Sequence, residues 1–185
     1  MKNYYAIFLF LGLLLSNLGF GQISEGFELG LPSSYNSSLI TVTLGSGDWQ
    51  IKNVLAGTSG VTEGSKSCQI KSATGAQIIS PTIVGGVGTI SFDIQATTAS
   101  GAFQVNISTD DGANYTPATG SPFTVGTTST PISISVNDAA VNKIQIYRTG
   151  STLYVDNFAI TLPSTNSSTS DIITSSFTLP TNINY

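Results

Sequence analysis

Two stretches of strictly alternating apolar and polar residues lie between residues 89 and 116, and they constrain the fold more than any other feature. The first covers Thr89–Gln95 and the second Phe103–Ser108, and in each of them every second residue is isoleucine, valine or phenylalanine. Because successive side chains of a strand point to opposite faces, this period of two predicts a pair of half-buried β-strands. We interpret the whole stretch, with its tight Asp110-Asp111-Gly112 turn, as a hairpin in an all-β protein.

Short strand candidates of the same kind recur along the rest of the chain. Glycine-rich turns separate them, and no convincing amphipathic helix follows the first 21 residues. Many short strands between such turns are typical of a sandwich or barrel. We predict an all-β fold, a two-sheet antiparallel β-sandwich of jelly-roll type, over residues 22–162. The predicted strands are Ser38–Leu44, Trp49–Asn53, Ser67–Lys71, Gln77–Ser80, Thr89–Gln95, Phe103–Ser108, Ile132–Val136, Lys143–Arg148 and Leu153–Leu162.

The first 21 residues have the pattern of a secretory signal peptide. Lys2 precedes an apolar run over Ala6–Leu15, and small residues at Gly19 and Gly21 provide a cleavage site. A membrane anchor is the alternative, but the run is shorter than the roughly 20 residues that cross a bilayer. We therefore expect cleavage after Gly21, export, and a secreted or cell-surface protein without a membrane span.

The character of the chain changes after Leu162. Residues 163–170 are almost all serine, threonine or asparagine, which indicates a flexible linker. Apolar residues then return from Ile172 onward, up to Tyr185. We interpret residues 163–185 as a linker and the start of a neighbouring module, with an ordinary chain end as the alternative.

The residue inventory excludes several classes of function. The 185 residues contain six Lys or Arg, ten Asp or Glu and no histidine, with a net charge of −4. Without a basic patch the chain cannot release counterions from nucleic acid, so DNA or RNA is not an expected partner. The lack of histidine excludes Ser-His-Asp and Cys-His sites and the usual zinc ligand sets. A sole cysteine, Cys68, excludes an internal disulfide, and we interpret it as a buried small hydrophobe, with a reactive thiol as the alternative.

Enzymatic chemistry stays open through a carboxylate pair, a Ser–Lys dyad or a metal bound by oxygen ligands. Asp110 and Asp111 are adjacent but lie in a turn. No carboxylate pair is marked as flanking a cleft. We therefore expect no catalytic residues.

One carboxylate has an unusual position. If the last strand is regular, Asp156 shares its face with Phe158 and Ile160, which is the apolar side. A buried carboxylate needs a cation or several N–H donors, and calcium prefers such oxygen ligands. A structural calcium is therefore a candidate partner. The alternatives are a bulge that turns Asp156 to solvent, or a carboxylate satisfied by backbone N–H groups.

A sugar could stack on an exposed aromatic ring, and the candidates are the single tryptophan, Trp49, and the tyrosines Tyr35, Tyr115, Tyr147 and Tyr154. Trp49 lies between Asp48 and Gln50, whose side chains could supply hydrogen bonds to hydroxyl groups. We treat these three residues as the candidate ligand-binding set. The alternative for Trp49 is a place in the core, because a large ring buries much apolar area.

The turn motif Ser108-x-Asp110-x-Gly112-x-x-Tyr115 resembles the Asp-box hairpin of sialidases and many other secreted β-proteins. In such a turn the carboxylate accepts backbone N–H bonds and the glycine takes a positive φ. The resemblance implies a folding device, away from catalysis and without a metal.

A wider resemblance covers residues 24–162. Phe27-Glu28, Pro32 and five further motifs occur in one order that is similar to the jelly-roll modules of Bacteroidetes-type secreted proteins. These include the cleaved-adhesin and choice-of-anchor group and, more distantly, MAM-like domains. The resemblance implies a structural calcium held by Glu28 and Asp156, and a role in adhesion or carbohydrate binding. The further motifs are GDW at 47–49, SP at 80–81, GVGTISFD at 86–93, VNISTDDG at 105–112 and YVDNFAI at 154–160.

These observations together favour a non-catalytic, secreted adhesion or carbohydrate-binding module. Its expected partner is an extracellular glycan or a cell-surface protein, and we expect a monomer. One alternative is the ancillary N-terminal domain of a secreted hydrolase, such as a nuclease or peptidase, whose catalytic part lies outside this chain. Another is a small carbohydrate-active enzyme built on the sandwich.

Overall fold

A computed structural model describes residues 23–164 of the chain. The predicted signal peptide and most of the predicted linker and tail therefore lie outside the described residues. No helix in the described part is long and apolar enough to cross a membrane. The strands of residues 23–164 are β1 (Ile23–Glu25), β2 (Ile40–Leu44), β3 (Gly47–Lys52), β4 (Val54–Gly57), β5 (Ser67–Ile70), β6 (Gln77–Ile79), β7 (Val87–Ala96), β8 (Gly101–Ser108), β9 (Thr116–Pro117), β10 (Phe123–Val125), β11 (Thr130–Asp138), β12 (Lys143–Arg148) and β13 (Leu153–Ile160).

The strands form two antiparallel sheets that pack face to face. In sheet A the order is β11-β7-β13-β5-β4, with β1 added beside β13. In sheet B the order is β10-β8-β12-β6-β3-β2, with β9 beside β8. Each sheet buries one face against the other, as expected for an antiparallel sandwich. The all-β, two-sheet fold class predicted from the sequence is confirmed.

The predicted pairing of the two alternating stretches is wrong. Strand β7 pairs with β11 and β13 in sheet A, whereas β8 pairs with β10, β12 and β9 in sheet B. The connection over residues 97–100 therefore crosses from one sheet to the other. Alternation states only that one face of a strand is buried. Strands of two opposed sheets satisfy that condition as well as two strands of one hairpin.

A continuous chain of aromatic rings fills the space between the sheets. Neighbouring rings have centroids 5.2 to 6.1 Å apart, in edge-on and stacked geometries that favour aromatic pairs. The rings come from both sheets and from the segment after β1, so they join all three parts of the fold. Their order is Phe27, Trp49, Phe158, Phe92, Phe103 and Phe123.

Sequence periodicity located the long strands better than the short ones. Strand β12 has the bounds that the sequence predicts, whereas β1, β4, β9 and β10 were not predicted. Two to four residues are too few to show a period.

Cys68 is buried in β5, where burial raises the pKa of its thiol. This placement confirms the interpretation as a buried small hydrophobe.

The Asp-box turn joins β8 to β9 and is held by its own polar groups. Asp110 Oδ1 accepts hydrogen bonds from the Asn114 backbone N–H at 2.8 Å and the Ser108 hydroxyl at 2.7 Å. The Asn114 side-chain amide donates to Asp110 Oδ2 at 2.7 Å. Gly112 has a φ of 88° and donates its N–H to Ser108 Oγ. The hydrogen bonds from Asn114 and Ser108 lower the pKa of Asp110 to about 2.

This carboxylate makes the stability of the chain depend on pH in acid. Because the pKa of Asp110 falls from 3.8 to about 2 on folding, its contribution is complete above pH 3.8 and is lost as the pH falls through about 2. Asp110→Ala should lower the Tm at pH 7, and the difference from wild type should shrink towards pH 2. Thermal melts of both chains across this range measure the effect. Equal Tm values at pH 7 would contradict the folding role.

Candidate functional site

The outer face of sheet B carries a set of amide side chains, which we call the amide face. It is formed by alternate residues of β3, β6, β12 and β8, and most of the residues between them are buried in the core. Strand register arranges these outward residues in two cross-strand rows. The first row is Lys52, Gln77, Tyr147 and Gln104, and the second row is Gln50, Ile79, Gln145 and Asn106.

Three of these amides form a hydrogen-bonded ladder. Asn106 Nδ2 donates to Gln145 Oε1 at 2.7 Å, and Gln145 Nε2 donates to Gln77 Oε1 at 2.8 Å. The ladder crosses β8, β12 and β6, and Asn106 and Gln145 are each 8% exposed. Because each amide is fixed by its neighbour, the Gln77 Nε2 donor and the Asn106 Oδ1 acceptor at the two ends of the ladder hold defined positions.

Tyr147 is the aromatic residue of the amide face. Register places it directly opposite Gln77 on one side and Gln104 on the other, and its side chain is half-buried. Among the described residues, the side-chain amides of Gln104 and Gln50 have no hydrogen-bond partner. The face therefore combines one ring with several donors and acceptors that are open to a ligand.

The structure separates the three residues of the predicted ligand set. Gln50 lies on the amide face, and Asp48 lies at its edge, where the Thr43 hydroxyl donates to Asp48 Oδ1 at 2.7 Å. Trp49 points the other way and is 1% exposed. Its ring cannot stack on a sugar, so the core alternative for Trp49 is correct and its predicted ligand contact is wrong. The reason is alternation, since neighbours on a strand face opposite sides.

A buried acid that sequence reasoning missed lies beside this tryptophan. Trp49 Nε1 donates to Ser46 Oγ at 2.9 Å, and the Ser46 hydroxyl donates to Glu25 Oε2 at 2.7 Å. Glu25 also accepts the N–H of Ser46 at 2.9 Å and of Phe27 at 2.8 Å. The network satisfies every one of these buried polar groups and fixes β1 against sheet B. The sequence Ser24-Glu25-Gly26 does not by itself indicate that Glu25 is a buried hydrogen-bond acceptor.

Asp156 does not share a face with Phe158 and Ile160. Strand β13 changes register between Asp156 and Ala159, and Asn157 has a φ of 50°. This bulge puts Asp156 on the outer face of sheet A, directly opposite Asp93 of β7. Asp156 is nevertheless fully buried. The apolar face expected of a regular strand is therefore wrong. The bulge that was the alternative is present, but it does not turn Asp156 to solvent.

Both predicted metal ligands hold the same loop, residues 58–66, by hydrogen bonds. Asp156 Oδ2 accepts the N–H of Thr62 at 2.7 Å and of Glu63 at 3.0 Å. Glu28 Oε1 accepts the N–H of Ser65 at 2.9 Å and of Lys66 at 3.0 Å. These backbone donors, with the Ser65 hydroxyl, lower the pKa of Glu28.

The contacts of these oxygens differ from the coordination that a calcium ion takes. Calcium takes six to eight oxygen ligands, whereas Glu28 and Asp156 face N–H donors. Among residues 23–164 no group of three or more His, Cys, Asp or Glu side chains is placed to hold a metal. The contacts of Asp156 match the alternative of a carboxylate satisfied by backbone N–H groups. A structural calcium at Glu28 and Asp156 stays a prediction.

Comparison with known proteins gives a fold and no sequence family. No protein-family model matches the chain, and no curated protein matches it by sequence. Among solved structures, the CBM22-1 xylan-binding domain of Xyn10C from Paenibacillus barcinonensis is similar, with a TM-score of 0.57, 16% identity, and 80% of this chain and 97% of that chain covered. The K1 cleaved adhesin domain of Lys-gingipain from Porphyromonas gingivalis has a TM-score of 0.52 and 18% identity, with 76% and 97% covered.

A third similar structure contains a GH10 module as well. The CBM22-1–GH10 modules of the Clostridium thermocellum endo-1,4-beta-D-xylanase 10B, complexed with xylohexaose, give a TM-score of 0.55 and 15% identity. The match covers 80% of this chain and 29% of that chain.

The fold is therefore the jelly-roll sandwich that carbohydrate-binding modules and cleaved-adhesin domains share. The suspected resemblance to the cleaved-adhesin group is confirmed at the level of the fold.

The roles of Asp156 and of calcium can be separated by experiment. Asp156→Ala removes the buried carboxylate that accepts the N–H groups of Thr62 and Glu63 in part-buried hydrogen bonds, which should lower the free energy of unfolding by about 3 kcal/mol. Glu63→Ala, in the same loop but with an exposed side chain, is the matched control and should change little. Chemical denaturation measures both.

Thermal melts of the wild-type protein with and without a chelator test whether a calcium ion stabilises it. If carboxylates hold loop 58–66 by hydrogen bonds alone, the Tm should be the same with and without the chelator. A Tm that falls on chelation would support the calcium site instead.

Proposed function

We propose that this chain is a non-catalytic, extracellular binding module that contacts a neutral glycan through the amide face of sheet B. The observation that carries the proposal is the amide ladder beside Tyr147. Sugars present hydroxyl groups that both donate and accept, and a ring face of C–H groups. Primary amides supply both kinds of hydrogen bond, and an aromatic ring supplies the apolar contact.

Preorganisation adds to this argument. The ladder fixes the side chains of Gln77, Gln145 and Asn106 before any ligand binds. Glutamine side chains otherwise lose rotamer freedom when they are immobilised in an interface, at a cost of about 0.5–1.5 kcal/mol each. A face whose amides are already held avoids part of that cost. The two ladder-free amides, Gln50 and Gln104, then serve as adaptable contacts at the sides.

The positions of the carboxylates favour a role in binding over a role in catalysis. A glycosidase needs two carboxyl groups about 5–10 Å apart, one on each side of the scissile bond. Among the strand residues of the amide face and its β2 edge, Asp48 is the sole carboxylate. Asp156 and Glu25 are occupied by backbone N–H donors elsewhere. No step of bond cleavage is assigned to this face.

The similar structures support the choice of ligand class and of location. One is a xylan-binding domain, another is a module complexed with xylohexaose, and others are adhesin domains. We infer export to the cell exterior, a monomeric chain and a glycan or glycosylated surface as the partner. The second candidate, an ancillary domain beside a hydrolase, is favoured by the neighbour that is joined to a GH10 module.

Removal of the ring should weaken binding at the amide face. Tyr147→Ala is expected to raise the Kd of this face for xylohexaose about tenfold, because about 1.4 kcal/mol of stacking is lost. Gln104→Leu, which keeps the volume and removes the amide, should weaken binding in the same direction. Titration calorimetry of the mature chain measures both, and Ser133→Ala on the outer face of sheet A is the control.

Two results would contradict the proposal. One is wild-type binding that neither Tyr147→Ala nor Gln104→Leu changes. The other is the absence of binding to xylohexaose and to every other neutral sugar of a glycan array.

A further inference from the structure

The outer face of sheet A repeats the chemistry of the amide face. Register places four residues of adjacent strands in one straight row, which we call the Tyr154 row: Gln95, Tyr154, Gln69 and Leu55. Its first three residues are Gln–Tyr–Gln, like Gln77–Tyr147–Gln104 on the opposite sheet. A tyrosine between two glutamines therefore lies on both outer faces of the sandwich.

The side chains of this row are open to a ligand. Gln95 Nε2 donates to the Thr127 carbonyl at 2.6 Å, which fixes the amide and leaves Gln95 Oε1 as an acceptor. The side-chain amide of Gln69 has no hydrogen-bond partner among residues 23–164. All four residues of the row are partly exposed, and none of them is charged. A neutral ligand can thus contact the row without the desolvation of an ion.

A neighbouring loop borders the row. Loop 58–66 comes close to both Tyr154 and Gln95, since a Cβ on Gly60 would lie 2.5 Å from Tyr154 Cβ and 3.3 Å from Gln95 Oε1. The Tyr154 row thus has this loop along one side.

The loop on this side is held by a carboxylate beside the row. Asp156 follows Tyr154 two positions along the same strand, and it accepts the N–H groups of Thr62 and Glu63. The position of the loop beside Tyr154 is therefore fixed by part-buried hydrogen bonds. It provides a preformed side for a ligand, where a mobile loop would have to be ordered at an entropic cost.

We propose that the Tyr154 row is a second glycan-binding site, with Tyr154 as the stacking ring and Gln69 and Gln95 as the hydrogen-bonding groups. The inference rests on the proposed function of the amide face for its ligand class, a neutral pyranose chain. Because the outer faces of the two sheets point in opposite directions, one extended chain cannot contact both rings. A single protein molecule therefore joins two glycan chains.

Cross-linking is the property that tests this inference. The mature wild-type chain should bind two xylohexaose molecules in titration calorimetry, and it should increase the light scattering of soluble long-chain xylan. Tyr154→Ala should raise the Kd of the second site about tenfold, so that one hexasaccharide keeps the wild-type affinity, and it should lower the increase in scattering. Tyr147→Ala should behave in the same way through the opposite face. Ser133→Ala is the control and should match wild type.

A second variant keeps the test valid if Tyr154→Ala does not fold. Gln69→Leu removes only the free amide and should raise the Kd of the second site several-fold, whereas Gln50→Leu is the matched change on the amide face. One hexasaccharide per wild-type chain, with scattering and affinity unchanged by Tyr154→Ala and Gln69→Leu, would overturn the second site and leave the amide face intact. One hexasaccharide that is lost in Tyr154→Ala and kept in Tyr147→Ala would instead overturn the amide face and the cross-linking. No binding by wild type would overturn both.

Discussion

The chain of six aromatic rings between the sheets is the interaction on which the rest of the structure depends. It joins Trp49 and Phe103 of sheet B to Phe92 and Phe158 of sheet A, with Phe27 at one end. Each large ring buries apolar area that two thin sheets need in order to stay together. This packing places the sole tryptophan inside. The outer faces are left with tyrosine as their aromatic residue, and both proposed binding faces are built around one.

Charge is scarce in this protein, and the carboxylates of Glu25, Glu28 and Asp156 are committed to structure. Glu25 satisfies the hydroxyl group that accepts the Trp49 N–H, and Asp156 and Glu28 hold loop 58–66. Each of these oxygens meets backbone N–H groups that would otherwise lack partners. Uncharged side chains are therefore the groups that remain to recognise a ligand. Amides that hydrogen-bond one another across strands give a surface that is polar, ordered and close to neutral, which suits a ligand made of hydroxyl groups.

The sequence predicts the class of the fold better than the site. Alternation at residues 89–116 identifies β7 and β8, but it contains no information on their partners, so the two strands were paired although they lie in different sheets. The bulge at Asn157 reverses the face of Asp156, and a positive φ at an asparagine has no clear signal in one sequence. The rows around Tyr147 and Tyr154 depend on register between strands that are far apart in the chain. Gln50 and Asp48 were predicted from the sequence as ligand contacts, and alternation places both on the face opposite to Trp49.

The central claim is that the amide face binds a neutral glycan. The most direct measurement is an NMR titration of the ¹⁵N-labelled mature chain with xylohexaose, followed through the side-chain amide signals of asparagine and glutamine. The account predicts that the signals of Gln77, Gln104, Gln145 and Asn106 shift together as the face fills. Side-chain amide signals that stay unchanged on this face at saturating sugar would contradict it.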